Sequence, residues 1–177
     1  MDMREKKISG ETLYNGKILK LERDLVLCPN NDKAYREIVR HNGGAAVLLV
    51  NDKKEILLIK QFRYTYDEII YEIPAGKLEL NEDPYEAAKR ELEEETGYKS
   101  DSLETLGIIY PTCGYSSEKI YLYLAKNVKL GVKHLDDDEF IETKFVPIED
   151  VKKMILNNEI KDAKTICAIS NYLLKNN

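Results

Sequence analysis

Three glutamates, Glu91, Glu94 and Glu95, have the type and spacing that most clearly indicate chemistry in this chain. Positions i, i+3 and i+4 of a helix share one face, so the three carboxylates converge and repel one another. At ~6 Å and an effective dielectric near 20, one such pair repels by roughly 2–3 kcal/mol. A divalent cation reverses this interaction, and all-oxygen ligation favours a hard ion such as Mg²⁺, for which Mn²⁺ can substitute. A solvated glutamate-rich helix is the alternative interpretation, because glutamate is a good helix former.

The surrounding residues predict a helix over 84–96, which we call the acidic helix. Asp83 suits the N-cap, Pro84 suits the first turn, and Glu86 completes an Asp-x-x-Glu capping box. Gly97 supplies the left-handed residue that follows the last turn. An apolar stripe at i, i+3 and i+7 is expected to face a core, and it consists of Tyr85, Ala88 and Leu92.

The wider segment 76–98 follows the pattern G-x5-E-x7-R-E-U-x-E-E-x-G-U, where U is a bulky apolar residue. The residues at the fixed positions are Gly76, Glu82, Arg90, Glu91, Leu92, Glu94, Glu95, Gly97 and Tyr98. The segment therefore resembles the box of the Nudix hydrolases, which cleave a nucleoside diphosphate linked to another moiety with the help of divalent metal. This match favours a metal-binding helix over a solvated one.

The resemblance to the Nudix box also implies a role for each matching residue. The implied metal ligands are Ala75 (through its carbonyl), Glu91, Glu94 and Glu95. Arg90 would orient the carboxylates through charge-assisted hydrogen bonds, which its planar guanidinium suits. Glu82 would hold Arg90, and Gly76 would let the backbone turn tightly before the helix. The implied catalytic residues within the box are Glu82, Arg90 and Glu95.

The segments outside the box resemble those of one subfamily, the ADP-ribose pyrophosphatases. Four segments carry this likeness: YEIPAGKLE at 71–79, QFRY at 61–64, REIVRH at 36–41 and GYSSE at 114–118. One position departs from the subfamily pattern, since Cys113 stands where the subfamily has a proline in an S-P-G-type loop.

The same resemblance implies substrate-binding and catalytic residues outside the acidic helix. Arg36 and Arg63 would contact the diphosphate and adjacent groups of ADP-ribose, and Glu118 would meet ribose hydroxyls. Ordinary surface arginines and a surface ion pair are the alternatives. The acidic run HLDDDEFIE would supply one more catalytic carboxylate, for which Glu139 aligns best and Glu142 second. A solubilising acidic loop is the alternative interpretation of that run.

The reaction implied by the resemblance is Mg²⁺-dependent hydrolysis of ADP-ribose to AMP and ribose 5-phosphate. Bound metal would lower the pKa of a water molecule and neutralise charge on the diphosphate. A different nucleoside diphosphate derivative is the nearest alternative: a nucleotide sugar, a dinucleotide or an oxidised nucleotide. A non-catalytic Nudix-like ligand sensor is a further alternative. Such sensors usually lose box carboxylates, and this chain keeps all of them.

Composition limits the partners that the chain is expected to have. A length of 177 residues with 43% apolar and 33% charged residues is typical of one globular domain. The net charge of −5 argues against a general nucleic-acid binder, because phosphate contacts need basic patches. No apolar run approaches the roughly 20 residues of a membrane span, and the N-terminus lacks a secretory core. The three cysteines form no C-x-x-C pair, so we expect reduced thiols and a cytoplasmic protein.

The order of elements predicts an α/β fold in two parts. Residues 1–42 are expected to form a small antiparallel β piece, and residues 43–177 the Nudix domain. About 40 residues of strand bury little core alone, so the N-terminal piece is expected at a homodimer interface or against its own domain. Alternating strands and helices predict a mixed sheet with helices on both faces, in agreement with the α/β/α sandwich that the resemblance implies. The expected inward face of the last helix is Ala163, Ile166, Cys167, Ser170 and Leu174.

Overall fold

The structure of the protein is a computed structural model that describes residues 2–137 and 139–176. The strands within these residues are β1 (Lys6–Asn15), β2 (Lys20–Leu27), β3 (Lys33–Arg40), β4 (Gly44–Leu48), β5 (Glu55–Arg63), β6 (Glu68–Glu72), β7 (Ala75–Lys77), β8 (Tyr98–Ile109), β9 (Ile120–Leu130) and β10 (Ile141–Pro147). The helices are α1 (Pro84–Thr96), α2 (Ile148–Leu156) and α3 (Ala163–Lys175). No helix in the described part of the chain is both long and apolar enough to cross a membrane.

The first of two compact units contains the chain up to Gly43 together with Tyr110–Lys119. Strands β1, β2 and β3 form an antiparallel sheet in that order, as the sequence predicts for the N-terminal piece. The segment 110–119 joins this sheet through β3, because the Val39 N–H donates to the Tyr115 carbonyl at 2.8 Å. The domain division that the sequence predicts places this segment in the main domain. The proposed domain boundaries, 1–42 and 43–177, stay a prediction.

The second unit contains Gly44–Ile109 and the chain from Ile120 onward, and it holds two sheets. One is mixed, with the order β7-β4-β9-β8 and a parallel pair β4–β9; the other is antiparallel, with the order β10-β5-β6. Successive residues of a strand point to opposite faces, and β4 uses both faces for burial. Ala45 and Val47 pack in a cluster with Leu92 of α1. Ala46 and Leu48 pack in a cluster with residues of α2 and α3. The predicted α/β fold with helices on both faces is thus confirmed.

The acidic helix, α1, begins and ends at the residues that the sequence predicts. The Asp83 carboxylate accepts hydrogen bonds from the N–H groups of Tyr85 and Glu86, and Pro84 occupies the first turn. Gly97 has φ 76°, in the left-handed region, and its N–H donates to the Glu93 carbonyl at 2.7 Å. Ala88 and Leu92 are fully buried, so the apolar stripe fixes which side of the helix carries the carboxylates.

Helix α3 turns a different face to the core than its apolar residues predict. Ala163, Ser170 and Leu174 are exposed, so the expectation that these three residues face inward was wrong. The buried positions are Thr165, Ala168 and Ile169, with Ile166 and Cys167 partly buried beside them. Thr165 can be buried because both hydrogen-bonding functions of its hydroxyl are used: it donates to Asp162 at 2.6 Å and accepts from the Ile73 N–H at 2.8 Å. A buried hydroxyl with both partners costs little, and here it sets the rotation of the helix.

Candidate active site

Arg90 lies at the centre of the acidic helix and contacts three carboxylates. Its Nε and Nη2 donate to Glu82 at 3.1 and 3.3 Å, and its Nη1 donates to Glu91 at 2.7 Å and to Glu94 at 2.8 Å. Burial opposes the charge on Arg90, yet its hydrogen bonds to Glu82, Glu94 and Glu91 outweigh burial and raise the pKa of Arg90. The guanidinium therefore stays charged and holds the carboxylates in fixed orientations.

Glu95 is buried, with 2% of its surface exposed, and it faces β7. The Ala75 N–H donates to its Oε2 at 2.9 Å. Burial raises the pKa of Glu95 to about 8; the Ala75 N–H opposes this rise, and the negative charges of Glu91 and Glu139 add to it. A carboxyl group in such surroundings gains strongly from a nearby positive charge.

Because the pKa of Glu95 is raised, we expect the stability of the metal-free protein to fall as pH rises. The pKa of Glu95 is about 8 in the folded protein and 4.5 ordinarily. Ionisation therefore opposes folding, with a cost that grows above about pH 4.5 and is complete above about pH 8. In EDTA, the Tm of the wild type is expected to fall between pH 6 and pH 9. The fall should be smaller for Glu95→Gln, and parallel pH profiles of the two proteins would contradict the assignment.

Glu91 lies against Gly76, and this contact explains the glycine. A Cβ at residue 76 would stand 1.8 Å from Glu91 Oε1. The glycines with positive φ among the described residues are Gly43, Gly97 and Gly107, so Gly76 does not have a left-handed backbone. The tight turn that the sequence predicts there is therefore not the reason that residue 76 is a glycine. Burial raises the pKa of Glu91; Arg90 opposes the rise, and the charges of Glu94 and Glu139 add to it. Absence of a side chain at residue 76 leaves the space that the carboxylate fills.

The two candidates for the additional carboxylate, Glu139 and Glu142, lie in different surroundings. The negative charge of Glu139 reaches both Glu91 and Glu95, where it raises the pKa of each. The Glu139 N–H donates to the Asp136 carbonyl at 3.0 Å, which fixes the local backbone. Glu142 lies in β10 and is exposed. The structure thus brings Glu139 towards the acidic helix, while its catalytic role stays a prediction; Asp138 lies outside the described residues.

The donor atoms of this site fit a hard dication in their chemistry. Within the ranges 2–137 and 139–176, no group of three or more His, Cys, Asp or Glu side chains is arranged to hold a metal ion. In this arrangement Glu91 and Glu94 contact Arg90, and Glu95 contacts the Ala75 N–H. The carboxylates nevertheless offer only oxygen, and two of them have raised pKa values that a cation would lower. Metal ligation by the three glutamates and the Ala75 carbonyl stays a prediction.

Arg63 belongs to a buried ionic network that the sequence analysis missed. Its Nε and Nη2 donate to the two carboxylate oxygens of Glu72 at 2.5 and 2.8 Å. Lys164 also donates to Glu72, and it lies 3.0 Å from Asp162. Burial favours the protonated form of Glu72, but Arg63 and Lys164 outweigh burial and lower its pKa. The signal that the sequence offers is a charged residue, Glu72, within the otherwise apolar run IIYEI at 69–73.

The other predicted substrate-binding residues, Arg36 and Glu118, belong to the first compact unit. Arg36 forms an ion pair with Glu5 and donates to the Tyr35 carbonyl at 3.0 Å. Glu118 lies 3.5 Å from Nδ1 of His41. Both side chains thus have partners inside their own unit, and their contact with substrate stays a prediction.

Comparison with protein families finds the NUDIX domain over residues 40–169. The chain is 41% identical over 175 residues to the ADP-ribose pyrophosphatase of Bacillus subtilis (strain 168), covering 98% of this chain and 95% of that protein. It is 40% identical over 167 residues to the methanol dehydrogenase activator of Bacillus methanolicus, covering 93% and 90%. A crystal structure described as an ADP compounds hydrolase superposes with a TM-score of 0.86 at 19% identity, over 99% of this chain and 96% of that one. This last likeness concerns the fold.

Proposed function

This chain belongs to the Nudix family, and we propose that it hydrolyses the diphosphate of ADP-ribose to AMP and ribose 5-phosphate. The observation that carries the proposal is the arrangement of three glutamates on one helix: Glu91 and Glu94 accept hydrogen bonds from Arg90, and Glu95 accepts one from the Ala75 N–H. The charge of Glu139 raises the pKa of both Glu91 and Glu95. The likeness to the pyrophosphatase of Bacillus subtilis over nearly the whole chain supports ADP-ribose as the substrate. A relative with a different printed role, the methanol dehydrogenase activator, is almost as similar, so identity alone does not choose the substrate.

We propose Mg²⁺ as the cofactor, with Mn²⁺ as a substitute. Glu91, Glu94, Glu95 and the Ala75 carbonyl would hold it, because oxygen ligands suit hard dications. When bound, the metal supplies a water of lowered pKa and neutralises charge on the diphosphate.

The residues of the chain itself provide orientation and proton transfer in this proposal. Arg90, braced by Glu82, orients Glu91 and Glu94, and its positive charge offsets their mutual repulsion. Glu139 is the candidate that accepts the proton of the attacking water, since a carboxylate is a suitable general base when positioned near it. Arg63 and Arg36 would bind the anionic diphosphate, and Glu118 would accept hydrogen bonds from ribose hydroxyls.

We also propose a homodimer in the cytoplasm that binds no nucleic acid. Strand β1 is exposed along all ten of its residues and lies at the edge of its sheet. It carries the exposed apolar residues Ile8, Leu13 and Tyr14, and a long edge strand of this kind favours pairing with another chain. The three cysteines are free thiols, and the net charge is −5, in keeping with the other two proposals.

Substrate profiling with identification of products tests the proposed reaction. In Mg²⁺, the purified protein is expected to convert ADP-ribose to AMP and ribose 5-phosphate in equal amounts. A nucleotide sugar, a dinucleotide and an oxidised nucleoside triphosphate serve as comparison substrates. The kcat/KM for ADP-ribose should exceed that for each comparison substrate by about tenfold or more, which corresponds to roughly 1.4 kcal/mol of transition-state discrimination. A higher kcat/KM for any comparison substrate would replace ADP-ribose in the proposal.

A further inference from the structure

The buried network around Glu72 has a single member that is well exposed to solvent. The side chain of Glu72 is 1% exposed, those of Lys164 and Asp162 are 12% and 16% exposed, and that of Arg63 is 37% exposed. Glu72 accepts hydrogen bonds from Nε and Nη2 of Arg63, and among the described residues Nη1 has no hydrogen-bond acceptor. The network therefore fixes one edge of a guanidinium and leaves another edge for a further acceptor.

The guanidinium that carries this free edge interacts electrostatically with the acidic helix. The negative charge of Glu95 contributes to the raised pKa of Arg63, after the larger effect of its hydrogen bond to Glu72. A short path of hydrogen bonds also joins the two residues, because Arg63 bonds Glu72 and the Ala75 N–H, three residues further along the chain, bonds Glu95.

Lys164 has an electrostatic role that Arg63 and Glu72 alone would not provide. When one carboxylate pairs with one guanidinium, the two charges cancel, and the neutral pair attracts a diphosphate only weakly. Lys164 provides a second cation to Glu72, so Arg63 retains more of its positive potential. Asp162 does not cancel this effect fully, because its carboxylate also accepts the N–H and the hydroxyl of Thr165 at the N-terminus of α3.

The N-terminal turn of α3 also anchors the chain that leads to the acidic helix. Ile73, which follows Glu72, donates its N–H to Thr165 at 2.8 Å. Two residues later, Ala75 donates its N–H to Glu95. The arginine and the β7 segment that contacts Glu95 are therefore both attached to the first turn of α3.

We propose that Glu72, Lys164 and Asp162 are positioning residues that aim the Arg63 guanidinium at the diphosphate of the substrate. The proposal rests on the proposed function for the identity of the substrate. It adds a role for residues outside the box, which would act on the substrate through Arg63.

The test compares substrate binding with turnover in four variants. Lys164→Met and Glu72→Gln remove charge from the network, Arg63→Lys removes the planar guanidinium, and Ser100→Ala is the control. Ser100 is also buried and polar, but its hydroxyl bonds only within β8 and β9, to Ser102 and Lys126. The measurements are KM and kcat with ADP-ribose, the Kd of its non-hydrolysable methylene diphosphonate analogue by calorimetry, and Tm.

The three network variants are expected to raise KM and Kd by about tenfold, the size of one weakened charge-assisted hydrogen bond, with kcat within about threefold of wild type. Lys164→Arg should restore most of the affinity. Adding Lys164→Met to Arg63→Lys should raise KM no further, because both changes act through the same guanidinium. Ser100→Ala should lower Tm and leave KM unchanged.

A purely structural network would give a different pattern and would overturn the proposal. In that case Lys164→Met would lower Tm, as the control does, and leave KM and Kd within twofold of wild type. A fall in kcat at constant KM would also overturn it. If Lys164→Met does not fold, Lys164→Gln repeats the comparison, because its amide can still donate to Glu72. Failure of wild type to hydrolyse ADP-ribose would refute the proposed function instead, and the same variants would then be assayed with the substrate that the profiling identifies.

Discussion

Replacement of Glu94 or Glu95 by glutamine is expected to lower kcat by at least about 10³-fold, equivalent to roughly 4 kcal/mol of lost transition-state stabilisation. Each substitution keeps the size of the side chain and removes one negative charge from the convergent face of the acidic helix. A site with one fewer carboxylate binds a dication more weakly, and it also neutralises less of the charge that develops on the diphosphate. The measurement is kcat in saturating Mg²⁺, together with circular dichroism and Tm.

Glu93→Gln provides the matched control on the same helix. Glu93 pairs with Lys99 at 2.9 Å and accepts from the Val132 N–H at 3.3 Å, and neither contact involves Arg90. The same chemical change at this position is therefore expected to leave kcat within about twofold of wild type. Near-normal turnover by Glu94→Gln or Glu95→Gln, with folded protein, would count against a metal-dependent reaction at this helix.

Local features of the sequence were enough to predict the acidic helix. Asp83 and Gly97 act through hydrogen bonds to residues two to four positions away, so neither depends on the rest of the fold. Strand β4 is similar in this respect, because an unbroken apolar run is typical of a strand that is buried on both faces. Such features depend on short stretches of chain, and the structure confirms them.

The buried network could not be predicted, because its members are distant along the chain. Lys164 and Glu72 are separated by 92 positions, and either residue alone is compatible with an ordinary surface. The rotation of α3 depends on the same long-range relation, since Thr165 is buried only because Ile73 and Asp162 satisfy its hydroxyl. A pattern of apolar residues cannot reveal a polar group that is paired through tertiary structure.

The charges of the second unit suggest why a diphosphate would need both metal and arginine. Arg90 is shared among three carboxylates, and Arg63 is paired with Glu72. Neither guanidinium offers a full unpaired charge to an anion, whereas Glu91 and Glu95 of the acidic helix have raised pKa values. Dications on these carboxylates would reverse the sign of the local potential and let the two arginines act as orienting groups.

Glu139→Gln is expected to lower kcat by about 10²-fold with little change in KM, the usual size of a lost general base. The charge of Glu139 reaches Glu91 and Glu95, so its carboxylate lies near the place where a water molecule would be activated. Glu142→Gln is the matched control, because Glu142 belongs to the same acidic run but is exposed on β10. Its kcat should stay within about twofold of wild type. The opposite result, with Glu142→Gln inactive and Glu139→Gln active, would transfer the role to Glu142.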